Sequence, residues 1–117
     1  MVFNQDAANF LPIMPMQIDW IRERVSRSEY LLTSHAEIER RNDDVDLVDI
    51  EEALLSGVVI EDYPDDPRGS SCLVCGFSSG KAIHIVCGRN SIDWLVLITV
   101  YIPSMHKWED PHSRRRQ

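Results

Sequence analysis

The chain has 117 residues, 44% hydrophobic and 26% charged, which suits one compact domain with its own core and excludes disorder throughout. Its net charge of −7 argues against wholesale nucleic-acid binding, which needs Lys and Arg to neutralise phosphate. No apolar run approaches the roughly 20 residues of a membrane helix, and no positive region followed by an apolar core opens the chain, so a cytoplasmic location is expected.

Residues 1–16 hold three of the four Met, with Pro12 and Pro15, and read as an irregular N-terminal arm. A single α+β domain is expected over 17–108, followed by a mobile basic tail over 109–117. A first helix is predicted from Gln17 to Ser28, with Ile18, Ile21 and Val25 on one face. Tyr30 to Thr33 is short, apolar and extended. Ser34 and Glu37 have the spacing of a capping box, so Ser34 is expected to cap a second helix ending near Arg41, with His35 in its first turn. A third helix is predicted from Asp46 to Ser56, with Leu47, Ile50 and Leu54 as its apolar stripe and Gly57 as its stop.

The second half reads as strands: Val58–Tyr63, Ser71–Phe77, Lys81–Cys87 and Trp94–Ile102, with a turn-rich loop at 64–69 and a Ser79-Gly80 turn. The short connections predict an antiparallel meander. Alternation predicts Trp94, Val96, Ile98 and Val100 on one face of the last strand, with Thr99 and Tyr101 on the other. Ile83, Ile85 and Cys87 share a face, with His84 opposite. The fold class is therefore N-terminal helices on one face of a mostly antiparallel four- to five-stranded sheet.

Three cysteines, Cys72, Cys75 and Cys87, are too few and too odd in number for a secreted disulfide framework. Cys72-x-x-Cys75 with His84 and Cys87 has the composition of a zinc site, but residues three apart on a strand face opposite ways, so packing thiols are expected and no metal or cofactor. His35 at a helix N-terminus is either a surface histidine or a neutral base beside amides able to hold phosphate. His84 is either a hydrogen-bonded half-buried residue or an acid or phosphate ligand on the open sheet face. Arg68, in a Gly/Ser loop, suits phosphate, or pairs with the nearby Glu61, Asp62, Asp65 and Asp66. Arg41 ends the second helix, where a cation offsets the negative dipole end. Tyr101 either packs on the sheet or hydrogen-bonds a substrate. Ten acids and no base lie between Asp43 and Asp66, which makes that stretch a candidate docking surface for a basic partner.

The strings Tyr30-Leu-Leu-Thr-Ser-His35-Ala, Glu39-Arg40-Arg41, Glu52-Ala-Leu-Leu-Ser-Gly57, Val59-Ile60-Glu61-Asp62-Tyr63-Pro64, Asp66-Pro-Arg68-Gly69, Ser71-Cys72-Leu73-Val74, Ile83-His84-Ile85-Val86-Cys87 and Thr99-Val100-Tyr101 follow in order. Together they closely resemble the prokaryotic domain-of-unknown-function family 4258 over roughly residues 17–108. That family resembles the RelE and MqsR toxins of bacterial toxin–antitoxin pairs. The resemblance implies a RelE-like two-layer fold, a metal-independent endoribonuclease acting on RNA, and a cognate antitoxin of the zinc-finger MqsA-like type, with no DNA contact by this chain alone. On this reading His35 and His84 are the acid–base pair, Tyr101 orients phosphate or stacks a base, and Arg41 and Arg68 hold phosphate. The alternative is a non-catalytic protein-binding module that works through the acidic 43–66 surface.

Overall fold

The computed structural model describes residues 17–104 and 108–114. The expected arm at 1–16 and the last three residues lie outside the described residues.

Helix α1 spans Ile18–Ser26 and turns Ile21 and Val25 into the core. Strand β1, Tyr30–Leu32, follows, and then α2 over Ser34–Asn42 and α3 over Leu47–Ser56. The meander is β2 Val58–Tyr63, β3 Ser71–Ser78, β4 Lys81–Arg89 and β5 Leu95–Tyr101. A separate two-stranded hairpin is formed by β6 Trp108–Asp110 and β7 Ser113–Arg114. Among the described residues no helix is long and apolar enough to cross a membrane.

The five-stranded sheet runs β1-β5-β4-β3-β2. Every pairing in it is antiparallel except β1 with β5, where Tyr30 to Leu32 lie parallel to Leu95 to Leu97. The expected α+β class and mostly antiparallel sheet are therefore present. The helices are not all N-terminal to the sheet, because β1 stands between α1 and α2 and forms one edge.

Three local expectations are corrected. Thr33, not Ser34, caps α2: its Oγ1 accepts the Ala36 amide at 3.0 Å and donates to the Ile98 carbonyl at 2.9 Å. Glu37 serves Arg40 and Arg41 instead of the helix end. On α3 the buried stripe is Ile50, Ala53 and Leu54, and Leu47 is exposed. On β5 a bulge at Ile98 breaks the expected alternation, since Leu97 pairs with Cys87 and Thr99 with Val86. Leu95, Leu97 and Val100 consequently face the core, while Trp94, Val96 and Ile98 are only partly buried. The bulge still leaves Thr99 and Tyr101 on the face opposite Val100, as alternation predicts.

Two glycines set the helix–sheet distance. A Cβ on Gly76 would sit 1.8 Å from the Ala53 carbonyl oxygen, so α3 lies directly against the β3 backbone. Gly57 ends α3 in an extended conformation (φ −83°), and its Cβ would meet the same oxygen at 2.5 Å. Its role is space, not a left-handed cap. The Ser79-Gly80 turn has both residues at positive φ (51° and 79°), the geometry that twists two strands into a tight hairpin.

The main core lies between the helices and one sheet face, and includes Ile21, Ile50, Leu54, Val74, Ile85 and Leu97. The other face carries Leu73, Cys75 and His84, and the β6–β7 hairpin is set against it with Trp108 at 1% exposure. Part of the sheet is therefore covered on both sides. Residues 109–114, expected as tail, belong to this hairpin.

Candidate functional site

The cross-strand register of β4 and β5 puts His84 directly opposite Tyr101, on the face turned from the helices. The His84 imidazole is fully buried (0% exposed) between the tyrosine and the hairpin. Its Nδ1 is 3.2 Å from the Tyr101 hydroxyl and its Nε2 is 2.5 Å from the Pro111 carbonyl oxygen. Trp108 stands edge-on to it, with ring centroids 4.4 Å apart and planes at 87°. Burial holds the imidazole below its ordinary pKa, against the opposite pull of the Pro111 carbonyl and Glu61. Burial likewise pushes the Tyr101 hydroxyl up.

Tyr101 also lines a cleft of about 350 Å³, together with Glu39, Thr99, Ile102, Ser104, Trp108 and Arg114. Glu39 is fixed there by the β5 backbone, whose Val100 amide donates to Oε1 at 3.0 Å. Its Oε2 lies 3.2 Å from His35 Nε2, one helical turn earlier on α2. His35 itself is exposed, with 67% of its side chain in solvent. Arg114 sits 4.5 Å over the Trp108 ring and makes two hydrogen bonds to Glu61, at 3.0 and 3.1 Å. This pairing lowers the Glu61 carboxyl and raises Arg114. Glu61 also accepts from the Tyr63 hydroxyl.

The structure thus brings together His84 and Tyr101 in direct contact, while His35 stands outside the cleft lining and pairs with the lining residue Glu39. His35 and His84 do not touch: the groups that face His84 are Tyr101, Trp108 and Pro111, with Glu61, His112 and Arg114 around them. Arg41 and Arg68 are engaged elsewhere. Arg41 Nε donates to Glu37 at 2.7 Å. Arg68 grips Asp66 with two side-chain bonds, at 3.0 and 2.8 Å, and Asp66 is held well below the usual carboxylate range by that guanidinium. Sequence reasoning missed Glu39, Trp108 and Arg114. The i, i+4 spacing of His35 and Glu39 on a helix is a signal for the first. For the other two, a lone Trp with a Pro-centred turn in an otherwise polar tail is the only cue.

Several acids of the 43–66 stretch hold groups of the fold. Asp43 accepts the Ile102 amide, Asp49 and Glu52 both face the Ser78 hydroxyl, and Glu51 accepts from Tyr30. Glu61 and Asp66 hold arginines. Asp44, Asp46, Glu52, Asp62 and Asp65 are exposed.

All three cysteines are buried. Cys72 faces Cys87 across β3 and β4 on the core side, and Cys75 faces His84 on the hairpin side, as opposite-facing strand positions require. Burial raises both the Cys75 and the Cys87 thiols. Among the described residues no three His, Cys, Asp or Glu side chains gather in a way that could hold a metal ion.

Residues 32–102 match the family described as "Domain of unknown function (DUF4258)". The match includes His35, Glu39, His84 and Tyr101, and ends before Trp108 and Arg114. No curated protein and no solved structure matches the chain. With more than half its length in that match, the chain belongs to the DUF4258 family.

Proposed function

We propose that this protein is a toxin-like, metal-independent RNA endonuclease whose chemistry takes place in the cleft between α2 and the C-terminal hairpin. The observation that carries this reading is one cleft lined by Tyr101, Glu39 and Arg114, with His84 bonded to Tyr101 and the exposed His35 paired with Glu39. A group to take a proton, a group to give one and a cation for the phosphoryl oxygens are what transesterification at phosphorus uses. The resemblance to RelE- and MqsR-like toxins supports the same class, and with it a small antitoxin partner.

The ribose 2′-oxygen attacks the adjacent phosphorus, the bond from phosphorus to the 5′-oxygen breaks, and a 2′,3′-cyclic phosphate remains. The 2′-hydroxyl proton leaves to one side of the cleft and the departing 5′-oxygen takes a proton from the other. Tyr101 meets the 2′-hydroxyl, and His35, oriented by Glu39, protonates the leaving oxygen. Arg114 stabilises the charge that builds on the phosphoryl oxygens. Because Glu61 already holds Arg114, phosphate must compete with a carboxylate for it. His84 is sealed from solvent and acts through Tyr101. Arg41 and Arg68 take no part, since each is paired outside the cleft.

The test is induced expression of the wild type beside His35→Ala and Tyr101→Phe, with growth and total RNA followed in each culture. Arrest with RNA cleavage by the wild type, and loss of both by at least about a hundredfold in the folded variants, is the expected result. Unchanged growth and intact RNA in all three overturns the reading.

A further inference from the structure

We infer that His84 sets the direction of the Tyr101 hydrogen bond so that the phenol oxygen presents only lone pairs to the cleft, which makes the site select a ligand hydroxyl, the ribose 2′-OH, over a sugar that lacks it. The inference rests on the RNA reading for the identity of the ligand. The direction of the bond does not.

Pro111 fixes the tautomer. Its carbonyl oxygen is an acceptor only, and it lies 2.5 Å from His84 Nε2, so that nitrogen carries a hydrogen. The ring is fully buried, and burial disfavours its charged form. A neutral imidazole with its hydrogen on Nε2 has a bare lone pair on Nδ1. The Tyr101 hydroxyl lies at hydrogen-bond distance from Nδ1, at 3.2 Å. Tyrosine has a single hydrogen to donate, and Nδ1 takes it. Toward the cleft the oxygen can therefore only accept.

The consequence is selective. An acceptor covered by a bound ligand that offers no hydrogen is left unpaired, and the penalty falls on that ligand. A 2′-hydroxyl supplies the hydrogen and a 2′-deoxy sugar does not. The same geometry gives the departing proton a path. As the 2′-oxygen attacks, its proton passes to the phenol oxygen while the phenol proton passes to Nδ1. The result is an imidazolium that faces the Pro111 carbonyl and the field of Glu61, with Tyr101 neutral before and after. His84 is thus a positioning residue that never touches substrate. Its tautomer is fixed by a backbone carbonyl of the hairpin.

Two measurements on the full chain test this. The first is the long-range proton–nitrogen NMR spectrum of the His84 ring at neutral pH. The expected pattern is a protonated Nε2 and a bare, hydrogen-bond-accepting Nδ1, with the Nδ1 signal moving in Tyr101→Phe. A hydrogen on Nδ1 overturns the inference whatever the protein does to RNA. The second is binding of a ribo-oligonucleotide and its deoxyribo counterpart at one fixed salt concentration, in a His35→Ala background that suppresses cleavage. A ribose preference of about tenfold that falls to near unity when Tyr101→Phe is added is the expected result. A preference that survives Tyr101→Phe overturns the inference and leaves the endonuclease reading standing. Binding of neither oligonucleotide, with the tautomer as expected, sinks the endonuclease reading and the ribose selection with it.

Discussion

A single buried histidine shows how strongly local environment decides the role of a residue. His84 between two isoleucines reads in the sequence as a strand residue facing away from them, and it does. What the sequence leaves open is whether that face is open or covered. Because it is covered, burial holds the imidazole below its ordinary pKa in the folded protein. The unfolded chain binds a proton near pH 6.5 that the folded chain refuses, so stability is fully present above that value and declines as pH falls below it. The slope contributed by this one group is at most about 1.4 kcal/mol per pH unit, and it ends where the folded-state histidine finally titrates. Urea unfolding between about pH 5 and 7 should show this decline in the wild type, and His84→Gln should flatten it. An identical slope in both proteins would assign it to other groups.

At the scale of elements, hydrophobic spacing and turn chemistry predict most of the structure, and the exceptions have specific causes. The helix and strand positions follow from periodicity. Ser79-Gly80 marks its hairpin because positive φ at two successive residues suits few side chains. The cap of α2 is decided by tertiary contact. Thr33 and Ser34 are both competent caps, but Thr33 also reaches the Ile98 carbonyl on β5, so one hydroxyl ties the helix end to the sheet. Thr33→Ala should therefore cost about 1–2 kcal/mol and Ser34→Ala less than about 0.5, both read from urea midpoints. Equal costs would return the cap to Ser34. The bulge at Ile98 is also invisible to alternation, because a period of two carries no mark for one inserted residue. It moves Leu95 and Leu97 into the core in place of Trp94 and Val96, while Tyr101 keeps its side.

For the whole molecule, the feature with most consequence is the C-terminal hairpin. It covers part of the second sheet face, supplies the carbonyl that orients His84, and brings Arg114 to the cleft wall. Trp108 holds it there, buried to 1% exposure. Trp108→Ala should cost about 3–5 kcal/mol, the usual loss for a buried large aromatic. It should also make Cys75 react with a thiol reagent, while Cys72 and Cys87, on the helix side, stay protected. Labelling all three at the same rate would mean that the hairpin is not a separate cover but part of one cooperative core.

The sequence by itself determines the class of this protein. Its length, its apolar periods and its turn residues lead to three helices and an antiparallel meander, because these signals are local and each is read within a few residues. Its ordered strings lead to the family. It also puts His84 and Tyr101 on one sheet face, since the bulge at Ile98 leaves the alternation of Thr99, Val100 and Tyr101 as predicted. The tertiary structure decided what surrounds them. Whether a strand face is open or covered, which carboxylate takes which arginine, and whether a polar tail folds back are fixed by contacts between segments far apart in sequence. Glu61 and Arg114 meet across 53 positions, and His84 and Pro111 across 27. Arg41 and Arg68 suit phosphate by residue type, and the fold pairs them with Glu37 and Asp66. No local pattern encodes such pairings, because their energy depends on distance and burial, which exist only once the chain has folded.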